Sequence, residues 1–131
     1  MKAFITLLIL SISILFIGCP SNATVQPAKE FDITTSEGLY QEGQYYLKQK
    51  IYDFAQRSFT TLVEDFEEDS LADDAQFMIA EILSNPKNPN VDLESAIDEY
   101  QNLLDNYPDS KYADKANKKI VQLEKKIEKS D

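Results

Sequence analysis

Carboxylates and phenols dominate the reactive side chains of this sequence: 23 Asp and Glu and seven Tyr stand beside no His, one Cys and three Gly. Without an imidazole, a hydroxyl or thiol nucleophile has no ordinary base to activate it, so a nucleophile-and-base relay is nearly excluded. Gly18, Gly38 and Gly43 do not form a glycine-rich loop that could cradle phosphate. The carboxylates Glu64, Asp65, Glu67, Glu68, Asp69, Asp73 and Asp74 crowd one short stretch. They could act as acids or bind calcium, but the stretch lacks the alternating Asp or Asn ligands and the turn glycine of a calcium loop. A solvated charge run between two helices is the preferred reading. No catalytic residue, metal site or cofactor is expected.

Cys19 is the only thiol, so no intramolecular disulfide can form. Its position suggests another use. Lys2 supplies a positive start, and Ala3 to Ile17 is an apolar run interrupted only by Thr6, Ser11 and Ser13. This reads as a signal peptide over residues 1–18, too short for a membrane span of roughly 20 apolar residues. The sequence Leu15, Phe16, Ile17, Gly18, Cys19 resembles the bacterial lipobox, although Phe16 stands where leucine is most usual. The resemblance implies that Cys19 carries a thioether-linked lipid. Two or more acyl chains, at roughly 0.8 kcal/mol per buried CH₂, would anchor the chain stably to a membrane. The alternative is an incidental cysteine near a plain cleavage site. Pro20 follows the cysteine in place of an aspartate that would resemble an inner-membrane retention signal, so outer-membrane delivery, facing the periplasm, is expected in a cell with two membranes.

Residues 19–36 read as the lipidated cysteine and a tether. Pro20 to Pro27 is small and polar without apolar periodicity. As flexible coil, the tether would span on the order of 20 to 25 Å, letting the folded part stand clear of the bilayer. Phe31 and Ile33 could dock back on the domain, and Thr34 with Glu37 has the spacing of a capping box.

Residues 37–131 must position whatever function the chain has. The spacing Leu93, Ala96, Ile97, Tyr100, Leu103, Leu104, Tyr107 follows steps of three and four, as does Tyr52, Ala55, Phe59, Leu62, Val63, Phe66. No run alternates at period two, so the fold class is all-α. Helices are expected over about 35–50, 52–67, 70–84, 92–107 and 110–129, with Ser70 and Asp92 as N-caps. Pro86 and Pro89 mark a loop between the third and fourth. A shift of 41 residues superposes Ala55 on Ala96, Phe59 on Tyr100, Leu62 on Leu103, Phe66 on Tyr107, Ala72 on Ala113 and Ala75 on Ala116. Such a match indicates a repeated supersecondary unit. The fifth helix would turn Tyr112, Ala116, Ile120, Leu123 and Ile127 inward.

Gly43 with Ala55, Phe59 and Leu62, then Ala80 with Ala96, Tyr100, Leu103 and Pro108, resemble the tetratricopeptide repeats, whose helix pairs stack through small residues. The chain departs from them in a longer central loop and in Glu67, where proline is expected. The run Asn106 to Ala116 is similar to repeats of the BamD family of outer-membrane β-barrel assembly lipoproteins and of the periplasmic CpoB family. The resemblance implies two tetratricopeptide-like helical hairpins plus a C-terminal capping helix. It also implies a concave groove lined by positions three before and one after each small residue. Carried onto Gly43, Ala80 and Val121, these are Tyr40 and Gln44, Phe77 and Glu81, Lys118 and Gln122. The two rings would anchor a helix or extended peptide; in the alternative they pack on neighbouring helices.

Charge narrows the partners. Residues 37–110 hold 17 acids against four bases, whereas residues 111–131 hold seven lysines against four acids. Nucleic-acid affinity derives largely from Lys and Arg displacing counterions, so nucleic acid is rejected as the main ligand. The expected function is a lipid-anchored protein-protein interaction scaffold of the bacterial cell envelope, BamD-like, with other envelope proteins, including barrel-assembly components, as partners. Alternatives are a CpoB-like adaptor of cell-wall synthesis or division machinery and, remotely, a carboxylate-based envelope hydrolase.

Overall fold

A computed structural model describes residues 29–130 of the 131-residue chain. The expected signal peptide over residues 1–18 and Cys19 lie outside the described residues. Within them the fold is all-α: α1 Ser36–Lys48, α2 Tyr52–Asp65, α3 Ala72–Leu83, α4 Leu93–Asn106 and α5 Ala113–Glu128. Each helix packs against the next along the chain, and the short connections make neighbours antiparallel. The array therefore has two ends. One holds the α2–α3 and α4–α5 turns. The other holds the α1–α2 turn, the α3–α4 loop and the last turn of α5.

The core follows the three-and-four spacing. Ala55, Phe59 and Leu62 of α2, Ala72, Ala75 and Ala80 of α3, Ala96, Tyr100 and Leu103 of α4, and Ala116 of α5 are all fully buried. Small residues set how closely the helices approach. A Cβ added at Gly43 would come within 2.7 Å of the Phe59 ring, so α1 can lie on α2 at this distance only because Gly43 has no side chain.

The 41-residue repeat is visible as duplicated turn geometry. Phe66 closes α2 by donating its N–H to Leu62 O at 2.9 Å, and Tyr107 closes α4 by donating to Leu103 O at 2.8 Å. In the turns that follow, Asp69 N–H donates to Phe66 O and Ser110 N–H to Tyr107 O, both at 2.9 Å. Ala72 then donates to Asp69 O and Ala113 to Ser110 O, both at 3.0 Å. The side chains repeat too: Leu71 N–H donates to Asp69 Oδ1 at 2.9 Å and Tyr112 N–H to Ser110 Oγ at 3.2 Å. Asp and Ser serve the same purpose here because either oxygen can accept from an amide two residues on.

The helix starts bear out one expectation and correct two. Asp92 caps α4 as anticipated, accepting from Ser95 N–H at 3.0 Å. Ser70 does not cap α3; Leu71 occupies that position and the Asp69 carboxylate receives the Leu71 amide instead. For α1 the cap is Thr35, not Thr34, and Thr35 Oγ1 accepts from Gly38 N–H at 3.0 Å. No capping box with Glu37 forms, because Glu37 lies one position short of where the reciprocal carboxylate would sit.

The end of the expected tether is also folded. Phe31 packs on Tyr45 with ring centroids 5.5 Å apart, whereas Ile33 remains 56% exposed. Residues 32–35 thus form a tight turn against the start of α1, and the Phe31 ring reaches back to its third turn. Gly38 permits this, since a Cβ there would lie 1.8 Å from Asp32 O.

Candidate functional site

The structure separates the six residues expected to line one groove. Tyr40 and Gln44 are half-buried and border an open depression of about 740 Å³ along α1, shared with Lys29, Glu37, Gln41 and Tyr45. The Tyr40 ring meets Phe59 edge-on at 5.6 Å and keeps one side open. Burial first, and the Asp74 carboxylate second, push the Tyr40 phenol above its ordinary pKa. It stays neutral at physiological pH and can donate or accept a hydrogen bond.

Phe77 corrects the expectation of a second outward anchor. It is 3% exposed, stacks flat on Tyr112 at 4.2 Å, and meets Tyr100 at 5.7 Å. Lys115 Nζ lies 4.5 Å from its centroid and closes the remaining side. The cause is the next odd-numbered helix. A side chain three residues before the small position faces the start of that helix, and the aromatic Tyr112 and the long Lys115 there reach across it.

Glu81 is likewise engaged. It accepts from Tyr100 Oη, and from Lys119 Nζ at 2.9 Å, with Lys115 Nζ at 3.9 Å. Burial pushes its carboxyl pKa up, but the hydrogen bonds from Tyr100 and Lys119 and the two lysine charges outweigh burial and hold it below the usual value. On Tyr100, burial and the Glu81 bond together raise the phenol pKa strongly. Asp74 joins the same seam, accepting from Tyr112 Oη at 2.6 Å and Lys111 Nζ at 2.9 Å. The Asp74 bond, more than burial, raises the Tyr112 pKa to about 12. Lys118 and Gln122 are exposed on α5, which has no following helix among the described residues to cover them. The open surface is therefore α1 at one edge and α5 at the other, with a clasp of Asp74, Phe77, Glu81, Lys111, Tyr112, Lys115 and Lys119 between them.

That clasp escaped sequence reasoning, although a signal existed: Lys111, Lys115 and Lys119 recur every four residues on the helix that follows Asp74 and Glu81.

Of the seven carboxylates of the acidic stretch, Asp74 belongs to the clasp, Asp69 and Asp73 accept from serines, and the other four are exposed. Asp69 receives Ser36 Oγ at 2.8 Å, and Asp73 receives Ser110 Oγ at 2.6 Å. Among the described residues, no group of three or more Cys, Asp or Glu is placed to hold a metal ion. None of their helices is long and apolar enough to cross a membrane. No protein-family model, curated protein or solved structure matches the chain.

Proposed function

We propose that this chain is a non-catalytic, lipid-anchored interaction scaffold of the bacterial cell envelope. Its helices would act as a short tetratricopeptide-like stack, similar to a reduced barrel-assembly lipoprotein of the BamD type. The observation that carries the scaffold reading is the duplicated turn at Phe66 to Ala72 and Tyr107 to Ala113, since stacked repeats of one supersecondary unit characteristically present extended binding surfaces. The anchoring reading comes from Cys19 at the end of the apolar run. The open depression along Tyr40 and Gln44 is the natural seat for a partner segment, with Tyr40 supplying an amphipathic ring at its wall.

One set of cells tests both parts. A photo-crosslinking residue at Gln44 is expected to give a discrete adduct with an envelope protein. Barrel-assembly components would support the leading reading, and murein synthases would move the chain to the cell-wall pathway. Absence of any adduct, with Lys118 and Gln122 probed alongside, would leave the groove idle. In the same background, Cys19→Ser is expected to accumulate unprocessed precursor that carries no lipid and does not respond to globomycin. If wild type and variant partition and respond to globomycin identically, the anchor is wrong.

A further inference from the structure

We propose that the end of the domain formed by the α1–α2 turn, the start of α2 and the α3–α4 loop is a docking face for an anionic phospholipid bilayer. The domain would lie against the membrane rather than stand away from it.

The charge distribution gives the first argument. Residues 44–57, 80–97 and 123–130, which comprise the few residues of each helix nearest this end and their connections, carry a net charge of +1, whereas residues 32–43, 58–79 and 98–122, the larger remainder of the array, carry −11. Lys48, Lys50 and Lys87 border a single depression at the docking end. Lys125 and Lys126 lie in the last turn of α5 at the same end. An anionic surface would repel the larger part and accept the smaller, so the field of the whole domain selects the orientation.

Exposed apolar side chains gather at the same end. Ile51 is 42% exposed, Phe54 48% and Val91 44%. A bond from Asn90 Nδ2 to Asp53 Oδ1 at 3.0 Å ties the α3–α4 loop that carries Val91 to the start of α2. Beside them, Phe31, Tyr45, Tyr46 and Phe54 form a chain of ring contacts at 5.5, 5.6 and 5.1 Å. Lys29 and Arg57 stand over its two terminal rings, at 5.0 and 5.4 Å. Aromatic bodies flanked by long cationic side chains suit the boundary between headgroups and acyl chains, where one side is apolar and the other wet.

Lys50 adds a third observation. It is the one non-glycine residue with positive φ among those described, at 61°. It ends α1 with Lys50 N–H donating to Leu47 O and Ile51 N–H to Tyr46 O, both at 2.9 Å. That geometry favours glycine. A lysine held there at a conformational cost presents its ammonium at the tip of the docking end, next to Ile51.

The chain path agrees. Lys29, the first described residue, lines the depression along α1 together with Tyr45 and Lys48, so the polypeptide joins the domain on that side. Nine residues lie between Cys19 and Lys29, ten steps with a reach of at most about 33 to 36 Å. This last argument rests on the lipid anchor proposed above; the others do not.

The test uses the full chain purified from bacterial membranes and mixed with phosphatidylglycerol or phosphatidylcholine vesicles, with flotation and amide hydrogen exchange read on each sample. The expected result is added protection over residues 51–54 and at Val91 with phosphatidylglycerol only, lost at about 0.5 M salt, where charges are screened beyond a few ångström. Ile51→Ser with Phe54→Ser should remove the protection. Lys50→Gly, which relieves the left-handed strain and so guards against a folding artefact, should melt no lower yet weaken docking about fivefold. Flotation with both lipids but no added protection would overturn the docking face and leave the anchor standing. Protection with phosphatidylglycerol without flotation on phosphatidylcholine would keep the docking face and remove the anchor. Equal protection with both lipids, or protection elicited by an envelope protein and by neither vesicle, would also overturn the proposal.

Discussion

Tyr40 and Phe77 precede Gly43 and Ala80 by the same three residues, yet one ring stays half open and the other is sealed. Their registers are equal; what lies opposite them is not. Phe77 meets Tyr112 and Lys115 at the next odd-numbered helix, while Tyr40 has only the Phe59 ring edge against it, with the Asp74 charge near enough to raise its pKa, and stays half-buried. Phe77→Ala is therefore expected to cost about 3 to 5 kcal/mol, the range for deleting a buried aromatic ring, and to lower the thermal midpoint visibly. Tyr40→Ala should cost less, since its ring contributes one edge contact and partial burial, and should reduce crosslinking at Gln44 while the domain stays folded. Melts and crosslinking on the two single variants check this. A Phe77→Ala protein as stable as wild type would return that ring to the groove. The spacing of small residues told which side chains share a helix face. It did not tell which long side chain from a distant segment would cover that face.

At the scale of elements, apolar periodicity located all five helices, and the errors fell at their starts. Ser70 and Thr34 satisfied the rule for capping residues, but Asp69 and Thr35 were better placed by the turns that precede α3 and α1. A side-chain oxygen can serve an amide from several local geometries, so residue type alone leaves such positions ambiguous by one. Gly38 was read without its partner, because nothing local announces that Asp32 O will pass over it. The inward face of α5 was legible: Ala116 and Leu123 are buried and Tyr112, Ile120 and Ile127 half-buried, as the spacing implied. That face leads to a prediction about the whole helix. Deleting residues 111–131 removes the cover over Phe77, the Lys119 partner of Glu81 and the packing of α5 on α4. Each large aliphatic side chain, when fully buried, contributes roughly 1.5 to 3 kcal/mol, against a total of roughly 5 to 15 kcal/mol for a typical domain. The truncated chain should melt far lower or self-associate through the uncovered α4 face, as seen by circular dichroism and sedimentation. An unchanged melt in a monomeric truncation would mean that α5 is only a solvated extension.

The whole molecule carries its charge unevenly, and this has a consequence for stability that is separate from any partner. With 23 acids against 13 bases, and ion pairs among the described residues confined to Asp74 and Glu81, most of the described carboxylates have no cation within ion-pair distance. Glu64, Asp65, Glu67 and Glu68 lie within one turn region and are all exposed or at its rim. Two opposing effects follow from added salt. Screening weakens the clasp pairs, which are partly exposed and individually worth little, and it weakens the repulsion summed over the acidic half, which is the larger quantity because like charges there outnumber opposite ones. Between about 0.01 M and 0.15 M ionic strength the screening length falls from roughly 30 Å to 8 Å, below the distance across the helical array. The thermal midpoint should therefore rise as sodium chloride is added over that range. Replacing Glu68 by Lys should raise it at low salt and shrink the salt dependence, because one repulsive charge becomes an attractive one. A midpoint that falls with salt would show that the Asp74 and Glu81 clasp outweighs the acidic half, and would make α5 attachment chiefly electrostatic.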